Sequence, residues 1–407
     1  MMPLDLRIRL AISRYPSMDA MTHLKRQSFN NLLLFGEVGT MVYRLIVRPF
    51  LRFLDSERTH GVSIKIGAGL ASTMVGQKML GSLYGTPSLP TEAFGMSFRH
   101  PVGLAAGMDK KCEALSLWPS VGFAWTEGGG VTYHAQDGNP KPRMFRSDSD
   151  NALINRMGFN NPGAVSIRKT LITTMESGGW PTTPLAVNVG CSKVAMGDAR
   201  PSKDYIATMQ QLWDLADMFV INVSSPNTAG LRELAEPDIL DTLLREINEF
   251  KISQKDKKPI LYKISPDESN DAIRLMVEIA IRNGIDGFVA VNTTVSRPKP
   301  TSTRSRRAFS EIGGLSGRPL HPRSLEVIRN VYNQVGSEYP IVGVGGIDSA
   351  ESAWDAITNG ATLLQIYSAL VFSGPAVVKR IIRGLQKKMK QSGIENIQDA
   401  VGIHSNT

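Results

Sequence analysis

Residues 222 to 232 read Asn-Val-Ser-Ser-Pro-Asn-Thr-Ala-Gly-Leu-Arg, directly after the apolar run Met218-Phe219-Val220-Ile221. A run of that composition is a buried strand, so the segment brings amides and hydroxyls to the strand's carboxyl end. Asn222 and Asn227 each offer an amide donor and acceptor to a planar polar ligand, and Ser224, Ser225 and Thr228 supply hydroxyls in a turn set by Pro226. Ser, Asn and Pro also dominate ordinary turns, so the segment by itself supports a polar strand cap equally well. No His or carboxylate stands out as a general base, which leaves Ser225, Thr228 or a thiol to move a proton. Cys191 also follows a strand and would ionise more easily than a serine. Cys112 reads as a packing residue at the start of a helix.

Lys110 and Lys263 fall at other strand ends, where a partly desolvated ammonium stabilises negative charge on a reduced ring or holds a carboxylate. A single rim lysine is usually just solvated; two facing one pocket favour a ligand. Gly345-Gly346 and Tyr367-Ser368 follow the last two apolar runs, where backbone N–H groups of a barrel commonly hold a phosphate. Gly313-Gly314-Leu315-Ser316-Gly317 adds a third flexible, N–H-rich loop. Three such loops at one corner point to a phosphorylated cofactor rather than to tight turns alone.

Eight short apolar runs supply the frame for these groups: Val102–Ala106, Phe123–Gly128, Leu185–Gly190, Met218–Val223, Ile260–Ser265, Phe288–Asn292, Ile341–Gly345 and Leu363–Tyr367. Each ends in small or polar residues, and helix-compatible segments separate most of them. Continuous apolar strands alternating with helices make a parallel sheet covered on both faces. Eight of them fit an α/β fold of the (β/α)8 TIM-barrel type better than an open doubly wound sheet, with ligands held by the loops at the strands' carboxyl ends.

The composition is that of an ordinary globular chain, 42% hydrophobic and 20% charged over 407 residues, which excludes extensive disorder. A net charge of +9 suits nucleic acid, an anionic membrane or phosphate-bearing ligands. No basic stripe interleaved with aromatics is present, which argues against nucleic acid. Two cysteines exclude a disulfide framework and indicate a reducing compartment. The six histidines lack metal-ligand spacing, so no metal is expected.

Residues 1 to 100 differ from the rest. From Met41 to Leu54 the spacing predicts an amphipathic helix with Arg44, Arg48 and Arg52 on one face, kinked at Pro49. A small-residue, apolar segment follows from Val62 to Leu83. No apolar run is long enough to span a membrane, so these helices read either as an interfacial anchor or as surface helices docked on the barrel. The expected division is an extension over 1–40, a helical membrane and tunnel segment over 41–90, and the barrel over 91–407.

Eight fragments in order resemble the signatures of the dihydroorotate dehydrogenases: Gly103 to Lys110, Asp137 to Arg146, Ile154 to Asn160, Asn222 to Arg232, Lys263 to Asp267, Asn292 to Pro298, Gly313 to Gly317 and Gly343 to Gly346. Serine at 225 and the amino-terminal helices resemble the membrane-associated, quinone-reducing class. The resemblance implies a (β/α)8 barrel holding one non-covalent FMN per subunit. It also implies oxidation of (S)-dihydroorotate to orotate, the redox step of pyrimidine synthesis, with electrons passed to a membrane quinone. Ser225 is then the base that removes the C5 proton, with Thr228 and Phe159 near its exit path, while hydride leaves C6 for the flavin. The substrate falls to Lys110, Asn155, Met157, Gly158, Phe159, Asn222, Asn227, Asn292 and Thr293. FMN falls to Ala106, Gly107, Lys110, Gly130, Asn188, Asn222, Lys263 and Val291, with Ser316, Gly317, Gly345, Gly346, Tyr367 and Ser368 around its phosphate side. His60 and Arg146 match positions lining the quinone tunnel. A flat neutral ring with one carboxylate calls for amides and one cation, which is what this set offers.

This chain departs from the family pattern at three places. Gly130 stands where Ser or Thr is usual, Val291 where Thr is usual, and Cys191-Ser192 where a Lys-Asn pair is common. Each change removes one hydrogen bond, worth about 0.5 to 1.5 kcal/mol, and weaker FMN retention is expected. The expected setting is the cytoplasmic side of the cell membrane, peripherally bound to anionic lipid, with the mitochondrial inner membrane as alternative and a monomer as the assembly. Two rivals are another flavin barrel oxidoreductase, acting on a different dihydropyrimidine or on a 2-hydroxy acid, the latter needing a strand-end histidine this chain lacks, and a non-catalytic membrane-bound paralogue, which has no reason to keep Ser225, Lys110 and four asparagines.

Overall fold

The computed structural model describes residues 56–198 and 200–405. The predicted helix over Met41–Leu54 and the extension 1–40 lie outside the described residues. Helices α1 (Ser56–Ala71) and α2 (Met74–Tyr84) come first and divide the apolar segment seen in the sequence. Thr73 makes the break: it is extended, and its hydroxyl accepts from the N–H of Gly76 at 3.1 Å, capping α2. Ile64, Ala71 and Leu80 are buried, whereas Val62, Ile66, Met74 and Val75 are exposed, Val75 by 79%.

After a hairpin of β1 (Thr91–Ala93) and β2 (Met96–Phe98) the alternating pattern begins: β3 (Val102–Leu104), α3 (Leu117–Ser120), β4 (Thr126–Val131), β5 (Met144–Ser147), β6 (Ala152–Asn155), α4 (Ala164–Glu176), β7 (Leu185–Val189), α5 (Ser202–Leu212) and β8 (Met218–Ile221). It continues with α6 (Pro237–Ser253), β9 (Ile260–Ile264), α7 (Asn270–Arg282), β10 (Gly287–Ala290), α8 (Thr303–Phe309), β11 (Gly314–Gly317), α9 (His321–Val335) and β12 (Ile341–Val344). The last elements are α10 (Ala350–Thr358), β13 (Leu363–Ile366), α11 (Ser368–Ser373) and α12 (Val377–Ser392). All eight apolar runs are strands of one closed parallel barrel, in the order β3-β4-β7-β8-β9-β10-β12-β13. The pairing of β13 with β3, Leu364 beside Val102 and Ile366 beside Leu104, closes it and rules out the open sheet.

Alternation sorts each strand's side chains between two environments. One set packs outward under the helices. The inward set begins with an apolar plug of Trp125, Ala186, Val220, Leu261, Val289, Val342 and Leu363, sealed from below by Ala93 and Phe98 of the hairpin. Two residues further along the same strands stand Glu127, Asn188, Asn222, Lys263, Val291, Val344 and Gln365. The polar end of the barrel is therefore the next layer of the same pleat.

Three sequence expectations are corrected. The second run is a strand only from Thr126, because Phe123 sits in the turn leaving α3. Cys112 starts no helix; it lies in a turn with φ 52, fully buried, and α3 begins at Leu117. Gly313 to Gly317 is not a loose loop, since Gly314–Gly317 pairs antiparallel with β6 in a three-stranded sheet completed by β5.

Arg143, on the loop before β5, fastens α1 to this upper sheet. Its Nε and Nη2 donate to the Glu57 carboxylate at 3.0 and 2.7 Å, and its Nη1 donates to the carbonyls of Asp137 and Asn139. At the barrel floor Trp125 meets Phe98 edge-on, ring centroids 6.2 Å apart, and lies where a side chain at Gly103 would have to stand. Overpacking of this kind costs about 1–3 kcal/mol. Gly103→Ala is expected to lower the unfolding free energy measured by urea titration by that amount, whereas Gly61→Ala, where a methyl meets open space, is not.

Candidate active site

The inward layer above the plug and the loops after the strands enclose one cavity. Its lining brings together Lys110, Asn155, Phe159, Asn188, Asn222, Ser225, Asn227, Lys263, Asn292 and Thr293 from the carboxyl ends of five barrel strands, β3, β7, β8, β9 and β10, and from β6. Ser225 is buried at the end of β8, and its Oγ accepts the N–H of Asn227 at 3.3 Å. That leaves the hydroxyl proton free to be passed on.

The asparagines orient one another. Asn222 Nδ2 donates to Asn188 Oδ1 at 2.9 Å, and Asn222 Oδ1 accepts from Asn292 Nδ2 at 3.1 Å. Asn292 Nδ2 also reaches Ser224 Oγ, and its Oδ1 accepts the N–H of Thr293 at 2.8 Å. In a second set Asn227 Nδ2 donates to Asn155 Oδ1 at 3.2 Å, while Asn227 Oδ1 accepts from the N–H of Gly314. Asn139 holds this set in place through Nδ2, which donates to the carbonyls of Asn227 and Arg156. Two hydrogen-bonded sets of amides therefore line the same cavity, a lining suited to a flat ring with polar edges.

Lys110 supplies charge. Burial lowers its pKa to about 8, with Arg143 and Lys111 adding to the shift and Glu57 opposing it. It remains largely protonated at neutral pH and is a desolvated partner for a carboxylate. The thiol of Cys191 goes the other way: burial, with Asp204 and Asp198 beside it, pushes its pKa up to about 12. It is fully buried and absent from the lining, so the expectation that it competes with Ser225 as a base fails.

A second corner is built for an anion. Ser316, Gly317, Gly345, Gly346, Tyr367 and Ser368 converge there. Gly346 has φ 71, and a side chain at that position would stand 2.6 Å from Cβ of His321, so only glycine permits the approach. Within the described residues the N–H groups of Gly346, Tyr367 and Ser368 have no protein acceptor. In the ring-facing part, Gln365 Oε1 and Thr293 Oγ1 are buried without partners. Unpaired donors at one end and unpaired acceptors at the other fit a phosphorylated planar cofactor lying across the barrel mouth.

A separate, mainly apolar cavity of ≈ 800 Å³ opens between α1, α2, β5 and α11. His60 and Arg146, the two tunnel residues expected from sequence, both line it. Burial and the charge of Lys110 lower the pKa of His60 to about 4 against the opposing pull of the Met108 carbonyl and Glu57, so the imidazole is neutral at physiological pH. Tyr367 lines both cavities.

The predicted residues thus gather in two places. Ala106, Gly107, Gly130, Met157, Gly158 and Val291 also line the first cavity, and of the predicted site residues there only Thr228 does not. Thr228 lies buried behind the turn with its hydroxyl unpartnered. Phe159 takes the space that Gly130 and Gly190 leave: a Cβ at Gly130 would come within 2.5 Å of its ring. Sequence reading missed Gln365, which lines the cavity, and Glu127, which stands behind it. The available signal was a polar residue inside an otherwise apolar barrel strand.

The Dihydroorotate dehydrogenase family profile matches residues 88–389. The dihydroorotate dehydrogenase (quinone) of Gloeobacter violaceus is 41% identical over 363 residues, covering 89% of this chain and 98% of that protein. That of Natronomonas pharaonis is 41% identical over 365 residues, with coverage of 89% and 99%. Among solved structures, ligand-free DHODH from Eimeria tenella superposes with a TM-score of 0.76 at 31% identity over 86% of this chain and 99% of that one. The DHODH–ferulenol complex from the same organism gives 0.73 at 32% identity over 79% and 89%.

Proposed function

The chain belongs to the dihydroorotate dehydrogenase family, and from that premise we propose how its two cavities divide the work. The enzyme is a flavin-dependent oxidoreductase that oxidises dihydroorotate to orotate with a quinone as acceptor, in pyrimidine biosynthesis. The reading proposed for the site is that the flavin is FMN, that Ser225 is the base, and that the apolar cavity beside His60 and Arg146 admits the quinone. One observation carries it: Ser225, two hydrogen-bonded sets of amides, Lys110 and a glycine-rich corner with unpaired N–H groups share a single cavity.

Ser316, Gly317, Gly346, Tyr367 and Ser368 would hold the phosphate of FMN, with Lys263, Asn188 and Gln365 at its ring. When bound, the flavin supplies a two-electron acceptor that the protein's own side chains lack. Asn155, Asn222, Asn227 and Asn292 bind the amide edges of dihydroorotate, and Lys110 pairs with its carboxylate. Ser225 Oγ takes the proton from C5 as the C5–C6 bond becomes double, and its own hydroxyl proton leaves towards Thr228. Phe159, packed on Gly130 and Gly190, covers the ring and excludes water.

The quinone side has different requirements. A neutral His60 offers a hydrogen bond without a charge that an apolar tail would have to desolvate. Among the described residues no helix is long and apolar enough to cross a membrane. Exposed Val62, Ile66, Met74 and Val75 support peripheral docking of α1 and α2 on anionic lipid at the cytoplasmic side of the cell membrane.

Comparing a quinone in anionic vesicles, fumarate and NAD as acceptors tests the assignment: quinone reduction is expected to dominate, and equal or better turnover with fumarate or NAD would overturn it. Ser225→Ala should slow flavin reduction by dihydroorotate on the order of 10²-fold while orotate still binds. Orotate affinity should hold below pH 8 and then weaken by about tenfold per pH unit as Lys110 loses its proton, a dependence that Lys110→Gln removes. With Gly130 and Val291 offering no side-chain hydroxyl, flavin should be lost progressively on extensive dialysis, as followed by visible absorbance; retention at full stoichiometry would contradict this.

A further inference from the structure

Glu127 is a carboxylate that the mechanism above leaves unused. It lies on β4, fully buried, and three donors from three other strands converge on it. Asn188 Nδ2 donates to its Oε1 at 2.6 Å, Lys263 Nζ approaches Oε1 at 3.4 Å, and Gln365 Nε2 donates to Oε2. All three donors line the active-site cavity, whereas Glu127 does not. We propose that Glu127 is a positioning residue for the reaction, setting the direction of the amides and the place of the Lys263 ammonium, and so acting on flavin and orotate through them.

A carboxylate accepts hydrogen bonds and cannot donate. Asn188 must therefore turn its NH₂ towards Glu127 and its carbonyl away, where it accepts from Asn222. Asn222 is thereby left with its carbonyl towards Asn292, and Asn292 with its carbonyl towards the N–H of Thr293. One acceptor at the bottom of the site thus decides the orientation of three amides in succession. The same carboxylate holds Gln365 by its Nε2 and leaves its Oε1 buried and unpaired at the cavity, ready for a ring N–H. Glutamine at 127 would present a donor of its own and break this one-way order. Its loss of charge would also leave the Lys263 cation uncompensated in a site from which water is excluded.

This inference rests on the flavin reading of the cavity. The test compares purified wild type with Glu127→Gln for bound FMN, flavin midpoint potential and orotate dissociation constant. The variant is expected to show a more positive midpoint potential, because excess positive charge favours the reduced flavin, and orotate binding weakened by about tenfold or more. The double variant Glu127→Gln with Gln365→Glu returns a carboxylate to the same cluster and should move both quantities back towards wild type. An unchanged potential and unchanged orotate affinity in Glu127→Gln overturn the proposal. So does weaker flavin binding with no change in potential, which is what a merely structural residue would give. If the single variant does not fold, the double variant decides: wild-type-like values support positioning, and failure to fold or unrestored values overturn it. Wild-type protein that takes up no FMN would instead sink the assignment of the site itself.

Discussion

Side-chain alternation around a closed ring of strands is the constraint on which the rest depends. In a barrel the register of every strand is tied to both neighbours, so no strand can shift alone. A slip of one residue in β13 would exchange Gln365 for Leu364 at the cavity, and in β9 Lys263 for Ile264. The layer that carries chemistry is therefore held by the same pairing that seals Trp125 and Leu261 into the plug below it. Stability and site geometry are not separate properties here; they are successive layers of one pleat.

Burial then decides which of the gathered groups can act. It pushes the Cys191 thiol up to about 12, the Tyr367 hydroxyl up to about 12, His60 down to about 4 and Lys110 down to about 8. Among these four only Lys110 remains charged at neutral pH. Of the two side chains weighed as base, the more acidic, the Cys191 thiol, is thus removed from consideration by its surroundings, and the less acidic, Ser225, is favoured by its place among the amides. In the proposed mechanism a serine is an adequate base because proton and hydride leave adjacent carbons of an oriented ring, and orientation replaces intrinsic basicity.

The barrel was legible in the sequence because parallel strands covered on both faces are uninterrupted apolar runs, and each ends where polar residues begin. The cavity was legible for the same reason: strand-end residues share one face of the barrel, so Ser225, Lys110 and Asn292 could be placed together without coordinates. Residues inside the strands were harder to read. Glu127 and Gln365 sit among apolar neighbours, and only the inward direction of the pleat separates a polar floor from a misplaced charge. Cys112 was misread because its left-handed turn holds a compact bend before α3 that local composition does not announce. The strand at Gly314–Gly317 was misread because glycine-rich segments look like loops until a partner such as β6 supplies the pairing.

Two cavities sharing one wall also explain why α11 is so short. Ser368 opens it at the anion corner, and Leu370 and Phe372, two and four residues later, line the apolar cavity. A helix of six residues is long enough to pass from one environment to the other and too short to separate them further. With Tyr367 in both linings, a flat cofactor held at the barrel mouth would lie against the substrate amides on one side and near the apolar cavity on the other. In the proposed reading the two substrates then never need to meet, and a polar, charged reductant and an apolar oxidant can be served by one enzyme. The side of Tyr367 that faces His60 and Arg146 is where such a division would be enforced, since a polar substrate entering there would lose its water to an apolar wall.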